Sequence, residues 1–233
     1  MLIDKGLSLS ETENLLEMSD SYIDFIKLTF GTPALYQTDK LISKLELASI
    51  NEVAVYPGGT FFEIAHWQNK TNQFFIKLRE LDFKWVEISD GTIQLPLTER
   101  CKVIESAFRT GLKVITEVGK KNPEIQPDEK SLIEITQNDL KMGVSWVIIE
   151  ARESGQGIGI FDNQGGVIEE KFNRLKQGIP QEKVIWEAPL KKQQVKLINE
   201  FGPNVNLGNI HPDEAFALEA LRLGFRSDTW KVE

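Results

Sequence analysis

The sequence predicts a single-domain (β/α)8 barrel, the TIM-barrel fold, spanning residues 1–233. Short apolar runs rich in Val and Ile recur along the chain, and an amphipathic stretch follows nearly every run, as in alternating strands and helices. The runs are almost continuously hydrophobic, which is typical of parallel strands covered by helices. Eight such units in 233 residues favour a closed barrel over the alternative, an open doubly wound sheet.

The elements follow in order along the chain. The apolar runs predict strands at residues 2–4, 22–28, 52–56, 85–89, 113–118, 146–150, 184–187 and 205–207. The amphipathic stretches predict helices at residues 39–48, 62–81, 98–110, 129–142, 191–201 and 213–223, with a weaker pattern at 169–177. Gly111 and Gly143 stand where helices should end, and Pro212 stands near the start of the last helix.

Composition excludes several classes of protein. A net charge of −8 disfavours a nucleic-acid binder, because phosphate backbones require a basic face. No apolar run approaches the roughly 20 residues of a membrane span, and no leader peptide is readable at the start, so we expect a cytoplasmic protein without membrane contact. Cys101 is the single cysteine, which excludes an internal disulfide. Homo-oligomerisation stays open.

One glycine-rich interruption stands out, residues 154–166, which contain five glycines. Their spacing matches neither the dinucleotide-binding fingerprint nor the P-loop. We therefore predict a flexible lid rather than a nucleotide site.

Charged side chains gather where the predicted strands end, which is where barrels of this type carry their reactive groups. One such residue could simply cap a helix, but a set drawn from nearly every strand indicates a site. Converging carboxylates repel one another, so they require lysine and arginine partners, a hard divalent cation, or both. The strand-end groups are Asp4, Lys5, Lys27, the turn Pro57–Thr60 with Glu63, Glu87, Glu117, Lys120, Lys121, Glu150, Arg152, Glu187, Asn206 and Asn209.

These residues divide by chemistry. Glu87, Glu117, Glu150 and Glu187 come from four successive strands and are candidate Mg²⁺ ligands, not all of them direct. The basic residues suit a small, multiply charged anion. Candidates for binding it are Lys5, Arg152, Asn206, Gly208, Asn209 and Arg226, although Arg226 could instead pair with Asp228.

Several longer motifs resemble one family, the phosphosulfolactate synthases of coenzyme M biosynthesis, which has relatives in spore-forming bacteria and plants. The stretch after Lys27 departs from the family pattern and could alter the pocket wall. The motifs that carry the resemblance are residues 4–6, 22–27, 56–63, 86–91, 116–121, 149–155, 187–189, 202–207 and 223–229.

The resemblance implies a Mg²⁺-dependent addition of sulfite to phosphoenolpyruvate, giving (2R)-2-phospho-3-sulfolactate, on a (β/α)8 barrel. Combined with residue chemistry, it suggests Lys121 as the general acid that protonates carbon two, with Lys120 or Lys27 as alternatives and Asp4 as a further catalytic candidate. Arg152 and Asn206 would hold the phosphate.

Two other functions stay open at this point. The barrel could be a non-catalytic stress- or spore-associated protein, because fold alone does not determine function. It could also be another enolate-forming lyase acting on a phosphorylated acid, which would need the same metal and phosphate groups but no sulfite.

Overall fold

A computed structural model describes residues 1–230 as eight parallel strands surrounded by nine α-helices, in one domain. The strands are β1 (Leu2–Asp4), β2 (Phe25–Leu28), β3 (Ala54–Pro57), β4 (Trp85–Ile88), β5 (Lys113–Val118), β6 (Trp146–Ile149), β7 (Val184–Glu187) and β8 (Leu207–Gly208). The helices are α1 (Leu9–Ser19), α2 (Thr38–Ile50), α3 (Gly59–Trp67), α4 (Thr71–Glu80), α5 (Leu97–Arg109), α6 (Glu129–Lys141), α7 (Glu169–Gly178), α8 (Lys191–Phe201) and α9 (Ala215–Arg222). The predicted TIM-barrel class is confirmed.

The strands form two hydrogen-bonded groups, β1 to β3 and β4 to β8, which complete one ring. The ring closes between β8 and β1, where the Ile3 amide donates to the Ile210 carbonyl at 2.9 Å. Strands β3 and β4 lie side by side but share no ladder among the described residues. We call this opening the β3–β4 seam.

Strand periodicity explains why charges converge inside the ring. Residues two apart on a strand face the same side, and on five strands an apolar residue is followed two positions later by a charged one. The apolar members fill the amino-terminal end of the barrel, so the charged members lie above them at the carboxyl-terminal end. The pairs are Phe25 and Lys27, Trp85 and Glu87, Ile115 and Glu117, Ile148 and Glu150, and Ile185 and Glu187.

Several predicted boundaries were wrong. The single helix over residues 62–81 is two helices, α3 and α4, because the left-handed backbone of Asn69 (φ 57°) separates them. Helix α1 was not predicted, although Ser8 and Glu11 form a capping box at its start. The last strand is Leu207–Gly208 instead of residues 205–207. The second strand starts at Phe25 because a 3₁₀ turn occupies Asp20–Tyr22.

A buried ion pair fastens two outer helices to the barrel. Arg100 of α5 donates to Asp139 of α6 through Nε (3.0 Å) and Nη2 (2.6 Å), and Nη2 also reaches the Glu117 carbonyl at 3.2 Å. Both side chains are buried. This pair therefore fixes the backbone at the end of β5.

Replacing Asp139 with Ala should lower the free energy of unfolding by about 3 kcal/mol, because the buried Arg100 guanidinium would lose its bidentate partner and keep only Asp90, at 3.4 Å, as a counter-charge. Urea denaturation followed by circular dichroism measures the change. Glu134→Ala, an exposed position on the same helix, should leave the unfolding midpoint unchanged. Equal midpoints for both variants would contradict this role of the ion pair.

Among residues 1–230, no helix combines the length and the apolar character required to cross a membrane.

Candidate active site

The cavity at the carboxyl-terminal mouth of the barrel has a volume of about 200 Å³. It opens where β2, β5, β6 and β7 end and where α3 begins, so residues distant in sequence share its wall. Its lining residues are Ile3, Lys27, Thr29, Phe30, Gly58, Gly59, Thr60, Glu117, Lys121, Glu150, Arg152, Glu153, Glu187 and Asn209.

Lys27 lies at the centre of the acidic residues. Its Nζ is 2.9 Å from Glu117 Oε2, 3.0 Å from Glu87 Oε2 and 3.4 Å from Glu187 Oε1. Burial would lower the pKa of Lys27, but the charges of Glu117, Glu87 and Glu187 outweigh burial and raise this pKa well above its usual value. Lys27 is therefore a permanent cation that holds three carboxylates.

Lys121 is the second cation of the site and is more exposed. Its Nζ donates to Thr60 Oγ1 at 2.7 Å and lies 3.7 Å from Glu117 Oε1 and 3.9 Å from Glu150 Oε2. A quarter of its side-chain surface is open to solvent (25%). The Lys121 ammonium can therefore meet a molecule that enters the cavity.

Backbone amides hold the remaining carboxylate oxygens in place. Glu87 Oε1 accepts from the Gly59 amide at 2.7 Å, and Glu187 Oε2 accepts from the Ala151 amide at 2.9 Å. A Cβ atom at position 59 would lie 2.6 Å from Glu87 Oε1, so glycine is required for this approach. The first bond also joins the two sides of the β3–β4 seam.

The charges of the cluster do not balance. Four carboxylates, those of Glu87, Glu117, Glu150 and Glu187, surround two ammonium groups, so full ionisation would leave four minus two, or two, negative charges. Protonation relieves this excess. Burial, followed by the charges of Glu117 and Glu187, raises the pKa of Glu150 well above its usual range. Burial likewise raises the pKa of Glu87 to about 8.

Glu117 behaves in the opposite way. Burial alone would raise its pKa, but the charges of Lys27 and Lys121 outweigh burial and lower the pKa of Glu117 below its usual value. Glu117 is therefore the carboxylate that stays ionised while its neighbours retain protons.

Three of these carboxylates fit a divalent metal ion. Glu117, Glu150 and Glu187 are buried, and each offers an oxygen within 4.8 Å of the others. Within the described part of the chain, Glu117 Oε1, Glu150 Oε2 and Glu87 Oε2 are inaccessible to solvent and accept no hydrogen bond, although Lys27 pairs with Glu87 Oε2 at 3.0 Å. Buried oxygens without donors are costly, and carboxylates are the ligands that Mg²⁺ prefers. The fourth predicted ligand, Glu87, lies outside this triad.

Two predicted anion-binding residues, Arg152 and Asn209, line the same cavity. Arg152 is largely exposed, and its Nη1 donates to the Lys121 carbonyl at 3.3 Å. Both residues have left-handed backbone conformations, with φ of 61° and 57°. Lys5 lies at the rim, where it pairs with the lining residue Glu153.

The structure places five predicted site residues elsewhere, namely Asn206 and the following four. Lys120 bonds to Asp90 and to the Ile93 carbonyl (2.9 Å), so its ammonium points away from the cavity. Asp4 pairs with Lys44 and accepts from the Gly6 amide at 2.7 Å, which fixes the loop after β1. Gly208 packs within the barrel, where a side chain would meet Met1 and Ile185. Arg226 follows α9 and does not line the cavity.

Asn206 was predicted at the end of a strand over residues 205–207 and as a phosphate-binding residue, but the structure does not place it at the carboxyl-terminal mouth. Asn206 precedes β8, donates to the Val184 carbonyl at 3.1 Å and lines a different cavity, at the amino-terminal end of the barrel. A shift of two residues in this very short strand moves the side chain from one end of the barrel to the other.

Sequence reasoning missed parts of the site. The Pro57–Thr60 turn was placed among the strand-end groups, but no separate role was given to Thr60, which contacts Lys121, or to Gly59, which contacts Glu87. The signal was present in the Pro57–Thr60 turn, where two glycines directly follow a strand.

The glycine-rich segment of residues 154–166 is packed against the barrel. Ile158, Ile160 and Phe161 are buried, and Gln193 of α8 donates to the Gly155 carbonyl at 2.7 Å. Asp162 holds the turn by accepting from the Gln164 and Gly166 amides, both at 2.8 Å. The segment was predicted as a flexible lid. In the structure, these contacts instead hold its apolar centre and both of its ends.

The fold and this cavity define a class: TIM-barrel proteins whose acidic and basic residues meet where barrel enzymes carry out their chemistry. The chain matches the family model described as (2R)-phospho-3-sulfolactate synthase (ComA) over residues 1–228. It therefore belongs to the phosphosulfolactate synthase family, as the sequence motifs predicted.

Relatives named phosphosulfolactate synthase support this assignment. The relative from Methanothermobacter thermautotrophicus is 45% identical, covering 98% of this chain and 90% of the relative. The relative from Bacillus subtilis is 37% identical, covering 99% of this chain and 91% of the relative. Both alignments extend over nearly the whole barrel.

Solved structures show the same fold at low sequence identity. The 3-hexulose-6-phosphate synthase from Salmonella typhimurium superposes with a TM-score of 0.57 at 15% identity, covering 97% of this chain and 98% of that one. Orotidine 5'-phosphate decarboxylase from Pyrococcus horikoshii gives a TM-score of 0.55 at 12% identity, covering 94% and 98%. These likenesses concern the fold alone.

Proposed function

We propose that this protein is a phosphosulfolactate synthase, a lyase that adds sulfite to phosphoenolpyruvate in a Mg²⁺-dependent reaction giving (2R)-2-phospho-3-sulfolactate. The observation that carries the proposal is the meeting of Glu117, Glu150 and Glu187 with Lys121 in one cavity, in a chain of this family. A scaffold without chemistry would have little use for so costly a buried charged centre.

The reaction sets two requirements for the site. The sulfur of sulfite forms a bond to carbon three of phosphoenolpyruvate, and the electron pair of the double bond moves towards the carboxylate. Carbon two must then receive a proton. Mg²⁺ held by Glu117, Glu150 and Glu187 would stabilise the negative charge that develops on the substrate carboxylate.

The residues of this chain supply the rest. Lys121 donates the proton to carbon two, because its ammonium borders the cavity and lies beside the metal-binding carboxylates. Lys27, with three carboxylate neighbours, keeps these groups at fixed positions. Arg152 and Asn209 bind the phosphate, since both line the open part of the cavity.

The setting follows from the same chemistry. Both substrates are small anions, which a few basic residues in the cavity can bind. The net charge of −8 argues against a basic face that binds nucleic acid. We also propose a cytoplasmic location, which agrees with the single cysteine.

Purified protein mixed with phosphoenolpyruvate, sulfite and Mg²⁺ tests the proposal, with phosphosulfolactate measured by mass spectrometry. We expect product only when all three components are present. Replacing sulfite with sulfate, which lacks the nucleophilic sulfur, is the matched control. No product at high protein concentration would reject the activity.

Binding of Mg²⁺ should tighten as the pH rises from about 6 towards 8, because protonated carboxylates cannot bind a metal ion. Burial raises the pKa of the candidate ligand Glu150 well above its usual range and raises the pKa of its neighbour Glu87 to about 8, so the cluster carries protons that a bound cation would displace. Binding must therefore release protons, and the affinity increases until both groups ionise unaided.

Isothermal titration calorimetry in buffers of different ionisation enthalpy measures this proton release directly. Glu87→Gln should weaken the pH dependence, because one titrating carboxyl is removed. An affinity that does not change with pH would contradict the protonation states described for the cluster.

A further inference from the structure

Glu63 of α3 is a buried carboxylate outside the metal-binding triad. It accepts hydrogen bonds from the Gly91 amide (3.0 Å), the Thr92 amide (2.8 Å) and the hydroxyls of Ser89 and Thr92. Only 1% of its surface is exposed. Within residues 1–230 no lysine or arginine forms an ion pair with Glu63.

This arrangement requires a carboxylate. An ionised carboxylate only accepts hydrogen bonds, and its two oxygens can satisfy four donors. A glutamine would turn an NH₂ group towards some of these donors, and an apolar residue would leave all four without an acceptor. Burying a charge without a cation is costly. The carboxylate at position 63 therefore needs all four hydrogen bonds.

The segment that Glu63 holds, Ser89–Thr92, is the surface against which Lys121 lies. The Lys121 amide donates to the Gly91 carbonyl at 2.9 Å. A Cβ atom at position 91 would come within 3.0–3.2 Å of three carbons of the Lys121 side chain. The methylene chain of Lys121 therefore runs along Gly91 before its ammonium reaches Thr60.

The location of these contacts increases their importance. Glu63 and Thr60 belong to α3, which follows β3, whereas Ser89–Thr92 follows β4. These hydrogen bonds therefore span the mouth of the β3–β4 seam, where the two strands share no ladder among the described residues. Lys121, which follows β5, depends on both sides of this seam.

We propose that Glu63 is a positioning residue for Lys121, holding the Ser89–Thr92 segment so that the Lys121 ammonium is presented to the substrate. This inference rests on the proposed function only where it predicts a change in kcat. Glu63 itself touches no substrate, and the placement of Lys121 can be measured without any reaction.

Glu63→Gln and Glu63→Ala test the inference. Misplacement of a reacting group by about 1 Å costs on the order of 100-fold in rate, so we expect kcat to fall by about that factor in Glu63→Ala. Glu63→Gln keeps part of the acceptor capacity and should lose less. The KM for phosphoenolpyruvate should stay nearly unchanged, because Arg152 and Asn209 lie on other loops.

A second measurement is the rate at which acetic anhydride acetylates Lys121, followed by mass spectrometry with the exposed Lys130 as internal reference. We expect faster modification of Lys121 in both Glu63 variants, because its methylene chain loses its support. The matched control is Leu218→Ala, which truncates a buried side chain of α9 and destabilises the fold without contacting Ser89–Thr92. It should leave kcat and the labelling ratio unchanged.

Wild-type kcat and labelling in Glu63→Ala would overturn the inference, as would equal changes in Leu218→Ala at a matched loss of thermal stability. If the wild-type protein makes no phosphosulfolactate, the proposed function fails on its own. The labelling ratio then decides the inference: an unchanged ratio in both Glu63 variants rejects it.

Discussion

Lys121→Ala should reduce kcat for phosphosulfolactate formation by about 10²–10⁴-fold, the range contributed by a well-placed general acid. The physical reason is that carbon two can accept its proton only from a donor inside the cavity, and the Lys121 ammonium borders it. Phosphoenolpyruvate should still bind, because proton donation follows substrate capture. Calorimetric titration and steady-state kinetics separate the two effects.

Two lysines provide the controls for this prediction. Lys130→Ala removes an exposed ammonium far from the cavity and should leave kcat unchanged. Lys120→Ala should be much less damaging than Lys121→Ala, because Lys120 is bound to Asp90 outside the cavity. Turnover at the wild-type rate in Lys121→Ala would remove this residue from the mechanism.

Glu117→Gln should weaken Mg²⁺ binding by at least about 100-fold, since even residues that only support metal ligands contribute 10–100-fold. Glu117 is the carboxylate that stays ionised, because the charges of Lys27 and Lys121 outweigh its burial and lower its pKa. The amide keeps the shape of the side chain but removes its charge.

Direct metal titration, monitored by calorimetry or by electron paramagnetic resonance with Mn²⁺, measures the loss without requiring turnover. Glu134→Gln on the outer face of α6 is the matched control and should bind metal like the wild type. Unchanged affinity in Glu117→Gln would exclude this carboxylate as a ligand.

The sequence was most informative about the strands, because runs covered on both faces are readable without knowledge of their neighbours. The strands β1, β5 and β7 begin and end where the runs predicted. Boundaries set by single backbone conformations were harder to predict. The break between α3 and α4 depends on the left-handed Asn69, and an asparagine inside an amphipathic stretch is only a weak signal for a helix end.

The candidate site shows the same division. The meeting of Glu87, Glu117, Glu150 and Glu187 could be expected, because each lies at the carboxyl end of a strand. The sequence could not distinguish Lys120 from Lys121, since both follow the end of β5, where the regular alternation of side chains no longer predicts their directions. These pairings depend on contacts between distant loops, such as the bond between Lys120 and Asp90.

The sequence also could not reveal that three buried oxygens of the acidic cluster, Glu87 Oε2, Glu117 Oε1 and Glu150 Oε2, accept no hydrogen bond. They become visible only when burial and hydrogen bonding are known for each atom. The candidate metal triad of Glu117, Glu150 and Glu187 is defined by the short distances between their oxygens, whereas Glu87 lies outside it and binds the Gly59 amide and Lys27.

A crystal structure with Mn²⁺ in place of Mg²⁺ and with phosphoenolpyruvate tests the central claim most directly, since anomalous scattering locates the metal. We expect the metal on Glu117, Glu150 and Glu187, with the substrate carboxylate beside it and carbon two facing the Lys121 ammonium. Metal and substrate bound away from the carboxyl-terminal mouth of the barrel would contradict the account.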